Sequence, residues 1–230
     1  MNTRYIIAGV VTAFLLFGGA WWYTSQSALY PFELSESVTS WDFEGAYTGN
    51  PELEDRAHAE IERLNGMFGT EDNTDYILYV SIAGQYELLG DGAKEYEYLL
   101  RALAEDSGKT GLAWNNLGVL LTRLGAYDSA RVAYEKAAAA QPTYEQYQTS
   151  LLLFLTQYFP EDEEGIQNAY RKAGEALNGE WPTIIEIRAR WLEKVGRIEE
   201  AIEGWKLLLE ASPQSAAAVK LELQRLENEL

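Results

Sequence analysis

Between Gly111 and Tyr144, apolar and small residues recur at a spacing that only two packed helices joined by a short turn can use. Trp114, Leu117, Gly118 and Leu121 fall on one stripe of a first helix, because helical neighbours lie three or four positions apart. Gly118, lacking a side chain, lets a second helix approach closely. Gly125 breaks the first helix, Ala130, Tyr134 and Ala137 recur along the second, and Pro142 stops it. A lone pair of this kind cannot bury its faces, so the rest of the chain must supply neighbours.

From Tyr76 onward, Tyr79, Ile82, Ala83 and Tyr86 occupy the slots of Trp114, Leu117, Gly118 and Leu121. Gly90 matches Gly125, Leu99 and Ala102 match Tyr134 and Ala137, and Glu95 departs from the small residue at Ala130. A unit beginning at Glu145 carries Leu151, Leu152 and Leu155, then Ile166, Tyr170 and Ala173 after a longer turn around Pro160. A last unit from Pro182 repeats the second helix as Gly196, Ala201, Trp205, Leu208 and Pro213, with Arg188 in the Leu117 slot. The four units start at intervals of 35, 34 and 37 residues.

That spacing resembles the tetratricopeptide repeat family over the stretch from Tyr76 to Ser215. The resemblance implies an all-α fold: a right-handed α-solenoid of about four helix pairs at 76–110, 111–144, 145–181 and 182–215. Asn50 can cap a further helix with Pro51 at its first position and Glu52, Glu54 and Asp55 at its positive end. Leu53, Ala57, Ile61, Leu64 and Phe68 keep one stripe, so 51–75 reads as an amino-terminal capping helix and loop. Val219, Leu223, Leu226 and Leu230 make 216–230 a carboxy-terminal cap.

The amino terminus suggests where such a stack would stand. After residues 1–4, the 19-residue run 5–23 is almost wholly apolar, and as a helix it spans about 28 Å, enough for a bilayer's hydrocarbon layer. Trp21, Trp22 and Tyr23 supply the amphipathic rings favoured at a membrane interface, and Gly9 and Ala13 form a small pair on which another helix can pack. Arg4 precedes the run and no Lys or Arg follows it before Arg56, which places the amino terminus in the cytoplasm. The expectation is a transmembrane helix anchoring a single-pass inner-membrane protein, its repeats periplasmic or otherwise extracytoplasmic. A signal peptide cleaved near Gly18-Gly19-Ala20 or Ser25-Gln26-Ser27 would leave the repeats on the same side. The linker 24–50 holds Tyr30, Phe32, Trp41, Phe43 and Tyr47, rings that must lie either on the chain's own helices or along a membrane partner.

Charge and composition then exclude whole classes of function. The formal charge of -18 opposes nucleic-acid binding. With no cysteine and one histidine, His58, the chain offers no disulfide, no thiolate metal site and no common nucleophile pair. No phosphate-binding glycine loop follows a strand, so the reading is no enzyme, no cofactor and no metal. The acidic runs Glu161 to Glu164 and Glu71, Asp72, Asn73 and Asp75 suit helix ends and loops rather than a calcium loop. Residues 24–100 hold sixteen acidic against three basic residues. This field either keeps the protein soluble or draws a basic partner surface, with Glu52, Glu54 and Asp55 as its candidate residues.

Family members bind ligands in a groove lined by the first helix of each pair. The resemblance therefore points to Asn115, Asn116, Val119, Thr122 and Arg123, with Val80 and Glu87 before them and Thr149, Leu153, Gln157, Glu186, Arg190 and Lys194 after. Asn116 matches an asparagine that many members place on a ligand's backbone. The basic clamp of chaperone-tail binders is replaced by Val80, Gly84, Thr149 and Leu153, so that activity is not implied. The expected function is a non-catalytic protein–protein interaction scaffold. It would be an accessory subunit of a membrane complex serving secretion, cytochrome biogenesis, energy transduction or photosynthesis. The alternative is a periplasmic chaperone or assembly factor that holds client segments transiently. Its partners would be an integral membrane complex met through the anchor and linker, and a protein, for which a basic surface is expected, met through the repeats.

Overall fold

The computed structural model describes residues 31–70, 73–179 and 181–228. The run 5–23, with Gly9, Ala13, Trp21, Trp22 and Tyr23, lies outside them, as do Glu71, Asp72 and Leu230. Among the described residues there are ten α-helices and no strand, and no helix is long and apolar enough to cross a membrane. The chain divides into two compact units at Ser107 and Gly108.

The first unit contains α1 (Pro51–Asn65), α2 (Asp75–Leu89) and α3 (Gly92–Glu105). Each starts on a side-chain cap: Asn50, Thr74 and Asp91 accept from the backbone N–H of Leu53, Ile77 and Lys94. Ile61 and Leu64 of α1 pack with Leu78 and Ile82 of α2, and Met67, Phe68, Tyr86, Leu89 and Tyr98 close around them. The aromatic linker rests on this unit. Phe43 N–H donates to Gly90 O (3.1 Å), Tyr47 N–H to Leu88 O (2.8 Å), and Gly92 N–H to Trp41 O (3.0 Å). Thr48 Oγ1 adds a bond to Leu89 O (3.2 Å), and the Trp41 ring lies 5.0 Å from that of Tyr96. Residues 41–48 thus form a strap across the α2–α3 turn, and of the linker's rings Trp41 packs on the chain's own helices, while Tyr30 lies outside the described residues.

Burial pushes the half-buried Tyr96 phenol up to about 12, and the nearby Glu33 charge adds to the shift. The unfolded chain loses this proton near pH 10, before the folded unit does. The associated stability is therefore present below about pH 10 and lost as pH rises towards 12. Urea unfolding at pH 9 and pH 11 should show a larger drop for the native chain than for Tyr96→Phe.

The second unit holds α4 (Leu112–Arg123), α5 (Tyr127–Ala140), α6 (Glu145–Tyr158), α7 (Glu163–Ala176), α8 (Pro182–Lys194), α9 (Ile198–Ala211), a 3-10 turn (Pro213–Ser215) and α10 (Ala216–Glu227). α4 packs on α5 and α8 on α9 as tight pairs. A Cβ on Gly118 would sit 2.9 Å from three atoms of the Tyr134 ring, and one on Gly204 would sit 3.1 Å from Ala189 Cβ. Gly125 and Gly196 end the first helices at φ +76 and +79, a conformation that favours glycine. In both turns the glycine N–H bonds to the third carbonyl back (Thr122, Glu193), and the next N–H reaches Leu121 O or Leu192 O.

The pair α6–α7 is built differently. Its turn runs through Phe159 and Pro160 with no left-handed glycine, and the Trp191 indole from α8 donates to Pro160 O (2.9 Å). Arg188, in an otherwise apolar slot, lays its guanidinium 4.7 Å from the Tyr170 ring centroid. Cation–π attraction there offsets part of the cost of placing a charge on a packed face.

Candidate functional site

α6 and α8, the first helices of the last two pairs, leave a groove of about 430 Å³ between them. Leu153, Thr156 and Gln157 line it from α6, and Thr183, Glu186, Ile187, Arg190, Trp191 and Lys194 from α8. Leu153 is 50% exposed and offers an apolar contact at the rim, while Ile187 and Trp191 are buried and form the floor. The cations are held in place. Arg190 Nε donates to Glu186 Oε1 (2.9 Å) with its guanidinium 5.1 Å from the Trp205 ring centroid, and Lys194 Nζ donates to Thr156 O (3.2 Å). An apolar floor, one exposed amide on Gln157 and two fixed cations suit a peptide segment, since they supply contact area, backbone hydrogen bonds and charge at once.

The structure brings Gln157 and Arg190 together here, joined by Leu153, Glu186 and Lys194. The candidates on α4 and at the start of α6 do not line this groove. Asn116, Val119 and Thr122 are half-buried, and Thr122 Oγ1 is spent on Gly118 O (2.7 Å); Arg123 is exposed. Two expectations are corrected. Asn115 is only 7% exposed, with its Oδ1 buried and without a hydrogen-bond partner among the described residues, and Val80 is a core residue of the first unit. Thr149 is half-buried, and its Oγ1 too is enclosed without a partner among the described residues. Helix spacing places a residue within about one position of its face, and Asn115 lies on the inner side of that margin.

On α1, Glu52 and Asp55 are exposed, whereas Glu54 accepts the Gly49 N–H (2.7 Å) and fixes the chain's entry into the helix. Only the first two are free to act as a charged surface without loss of a cap. Sequence reasoning did not place Thr156, Thr183, Ile187 or Trp191 in the groove. The available signal was α8 itself, whose buried Ile184, Ile185, Ile187 and Leu192 exceed what one packing face requires. Among the described residues no cluster of three His, Asp or Glu side chains could hold a metal ion.

Comparison with known proteins bears on the repeat and the fold. Residues 111–144 match the family model described as tetratricopeptide repeat. The chain is 28% identical over 179 residues to Protein FlbA of Caulobacter vibrioides, a match covering 70% of this chain and 27% of FlbA. The chain thus spans about a quarter of that relative's length. Two crystal structures of MamA align with TM-scores of 0.56 and 0.54, each at 17% identity and 72% of this chain, covering 94% and 91% of MamA. At that identity the likeness concerns the fold alone. Residues 111–144 therefore match the tetratricopeptide repeat model, and the described residues, all helix and loop, are similar in fold to these structures.

Proposed function

We propose that this protein is a non-catalytic scaffold, an accessory subunit that stabilises or assembles a larger membrane complex through its repeat groove. Tetratricopeptide repeats mediate protein–protein interaction, and their curved stacks offer extended binding surfaces. The observation that carries the reading is the α6–α8 groove, where an exposed Leu153 stands beside fixed Arg190 and Lys194 over an apolar floor. The apolar run 5–23 would anchor the protein in the inner membrane with its repeats outside the cytoplasm. Anchoring would also raise the local concentration of the groove near its partner. Exposed Glu52 and Asp55 would steer a basic surface towards the first unit.

Purification from membranes in mild detergent tests the reading. The native chain should be recovered only with detergent and with a companion protein in fixed stoichiometry. Leu153→Asp should stay in the membrane fraction with unchanged helical circular dichroism, yet retain about tenfold less companion. Recovery of the native chain without any stoichiometric companion would reject the subunit reading. Recovery without detergent would reject the anchor.

A further inference from the structure

The second unit contains a larger cleft, of about 710 Å³, on a different face of α6. Its walls are α5 and α7, and its floor is formed by Gln148, Leu151 and Leu155 of α6. The walls carry small residues, Ala138 and Ala139 on α5 and Gly165, Ala169 and Ala176 on α7, between longer side chains such as Val132 and Asn168. Helices faced with small residues ordinarily close until their backbones meet, because interiors pack densely. These two stand apart. Arg131 of α5 bridges to Asp162, the cap of α7, at 2.6 Å, and Asp162 in turn accepts the Gly165 N–H at 3.0 Å. That strut holds one end of the cleft at fixed width. The Asp162 carboxyl is kept below its usual range, first by the Gly165 N–H and then by the Arg131 guanidinium, so the strut stays charged at neutral pH.

Two further observations describe what the space would accept. Gln148 is only 4% exposed, and its Nε2 donates to Ala138 O (3.1 Å) and Pro142 O (2.9 Å), while its Oε1 accepts no hydrogen bond from any described residue. An acceptor left open on an apolar floor can take an incoming donor. On the walls, Lys136 and Lys172 are exposed and form no ion pair with any described residue. Their acidic neighbours are already engaged, Glu135 by Arg131 (3.0 Å) and Glu175 by Arg171 (2.6 Å). In a chain of formal charge -18, this leaves a local pair of uncompensated cations.

We propose that the α5–α7 cleft docks a short acidic, amphipathic segment of a second protein, its large apolar side chains filling the space between the alanine-lined walls and its carboxylates meeting Lys136 and Lys172. A backbone or side-chain N–H of the segment meets Gln148 Oε1. The site differs from the α6–α8 groove in the helices that form it and in the face of α6 it uses, so each can be disabled separately.

The test uses the full chain in mild detergent and a labelled, helix-forming peptide with leucines at i, i+3, i+4 and i+7 and glutamates between them. Its control is a twin peptide with lysines for glutamates. The native chain should bind the glutamate peptide and not the twin. Lys136→Glu with Lys172→Glu should weaken glutamate-peptide binding about tenfold or more and allow the twin to bind. Both lysines are exposed, so the double variant should keep its circular dichroism and unfolding midpoint. Leu153→Asp should leave peptide binding unchanged. Equal binding of both peptides, no binding of either, or an unaffected double variant would overturn the proposal. Self-association in sedimentation that the double variant abolishes would assign the cleft to a second copy of this chain and overturn it likewise.

Discussion

Trp191→Ala should destabilise the second unit by about 3–5 kcal/mol, the range for removing a large buried aromatic side chain. Trp191 is 2% exposed and serves three neighbours at once. Its ring forms part of the groove floor, its Nε1 holds Pro160 O at 2.9 Å, and the Arg197 guanidinium lies 5.9 Å from its centroid. Alanine leaves a cavity where α8 meets the α6–α7 turn and strands the Pro160 carbonyl. Trp191→Phe removes the hydrogen bond and keeps most of the volume, so its cost should be about 1–3 kcal/mol. Urea unfolding of the two variants separates packing from hydrogen bonding. Equal losses would mean that the ring's volume contributes little.

Gly45→Ala should release the strap from the first unit. A Cβ at this position would overlap Gly90 N and Leu88 O, both backbone atoms that cannot rotate away. The requirement is space rather than an unusual φ. Detachment removes the backbone bonds of Phe43, Tyr47 and Gly92, a loss of about 3 kcal/mol at roughly 1 kcal/mol each. Hydrogen exchange should show these amides losing protection while α4 to α10 keep theirs, because the change is confined to one unit. Retained protection at Phe43 and Tyr47 would show that the turn shifts to accommodate the methyl group.

What the sequence disclosed depended on whether a residue's role is local. Gly118, Tyr134 and Gly125 declare their parts through spacing and backbone chemistry, and the close glycine–tyrosine contact and the left-handed turn follow from residue type. The α6–α8 groove was legible in part, since Gln157 and Arg190 lie on the outward arc of first helices. The buried state of Asn115 was not, because neighbouring positions on a helix differ by about 100° and a stripe's edge cannot be drawn from apolar residues alone. The strap was hidden for a different reason: its bonds are backbone to backbone, which side-chain identity does not encode, and only Gly45 and Gly90 hint at a close approach. The α5–α7 cleft was least visible. Alanine reads as ordinary helix propensity, and a space between two alanine-bearing helices has no residue of its own to announce it.

The way the α6–α7 turn is fastened sets an order for synthesis. The α4–α5 turn closes with its own glycine and carbonyls, so that pair can form once its residues have left the ribosome. The α6–α7 turn, whose Pro160 carbonyl is bonded by Trp191, is finished only after about thirty more residues have emerged and α8 has docked. In the interval, a nascent chain ending near Ala176 presents an incomplete pair with its Leu153 side uncovered. That is the stage at which a chaperone would have most to shield.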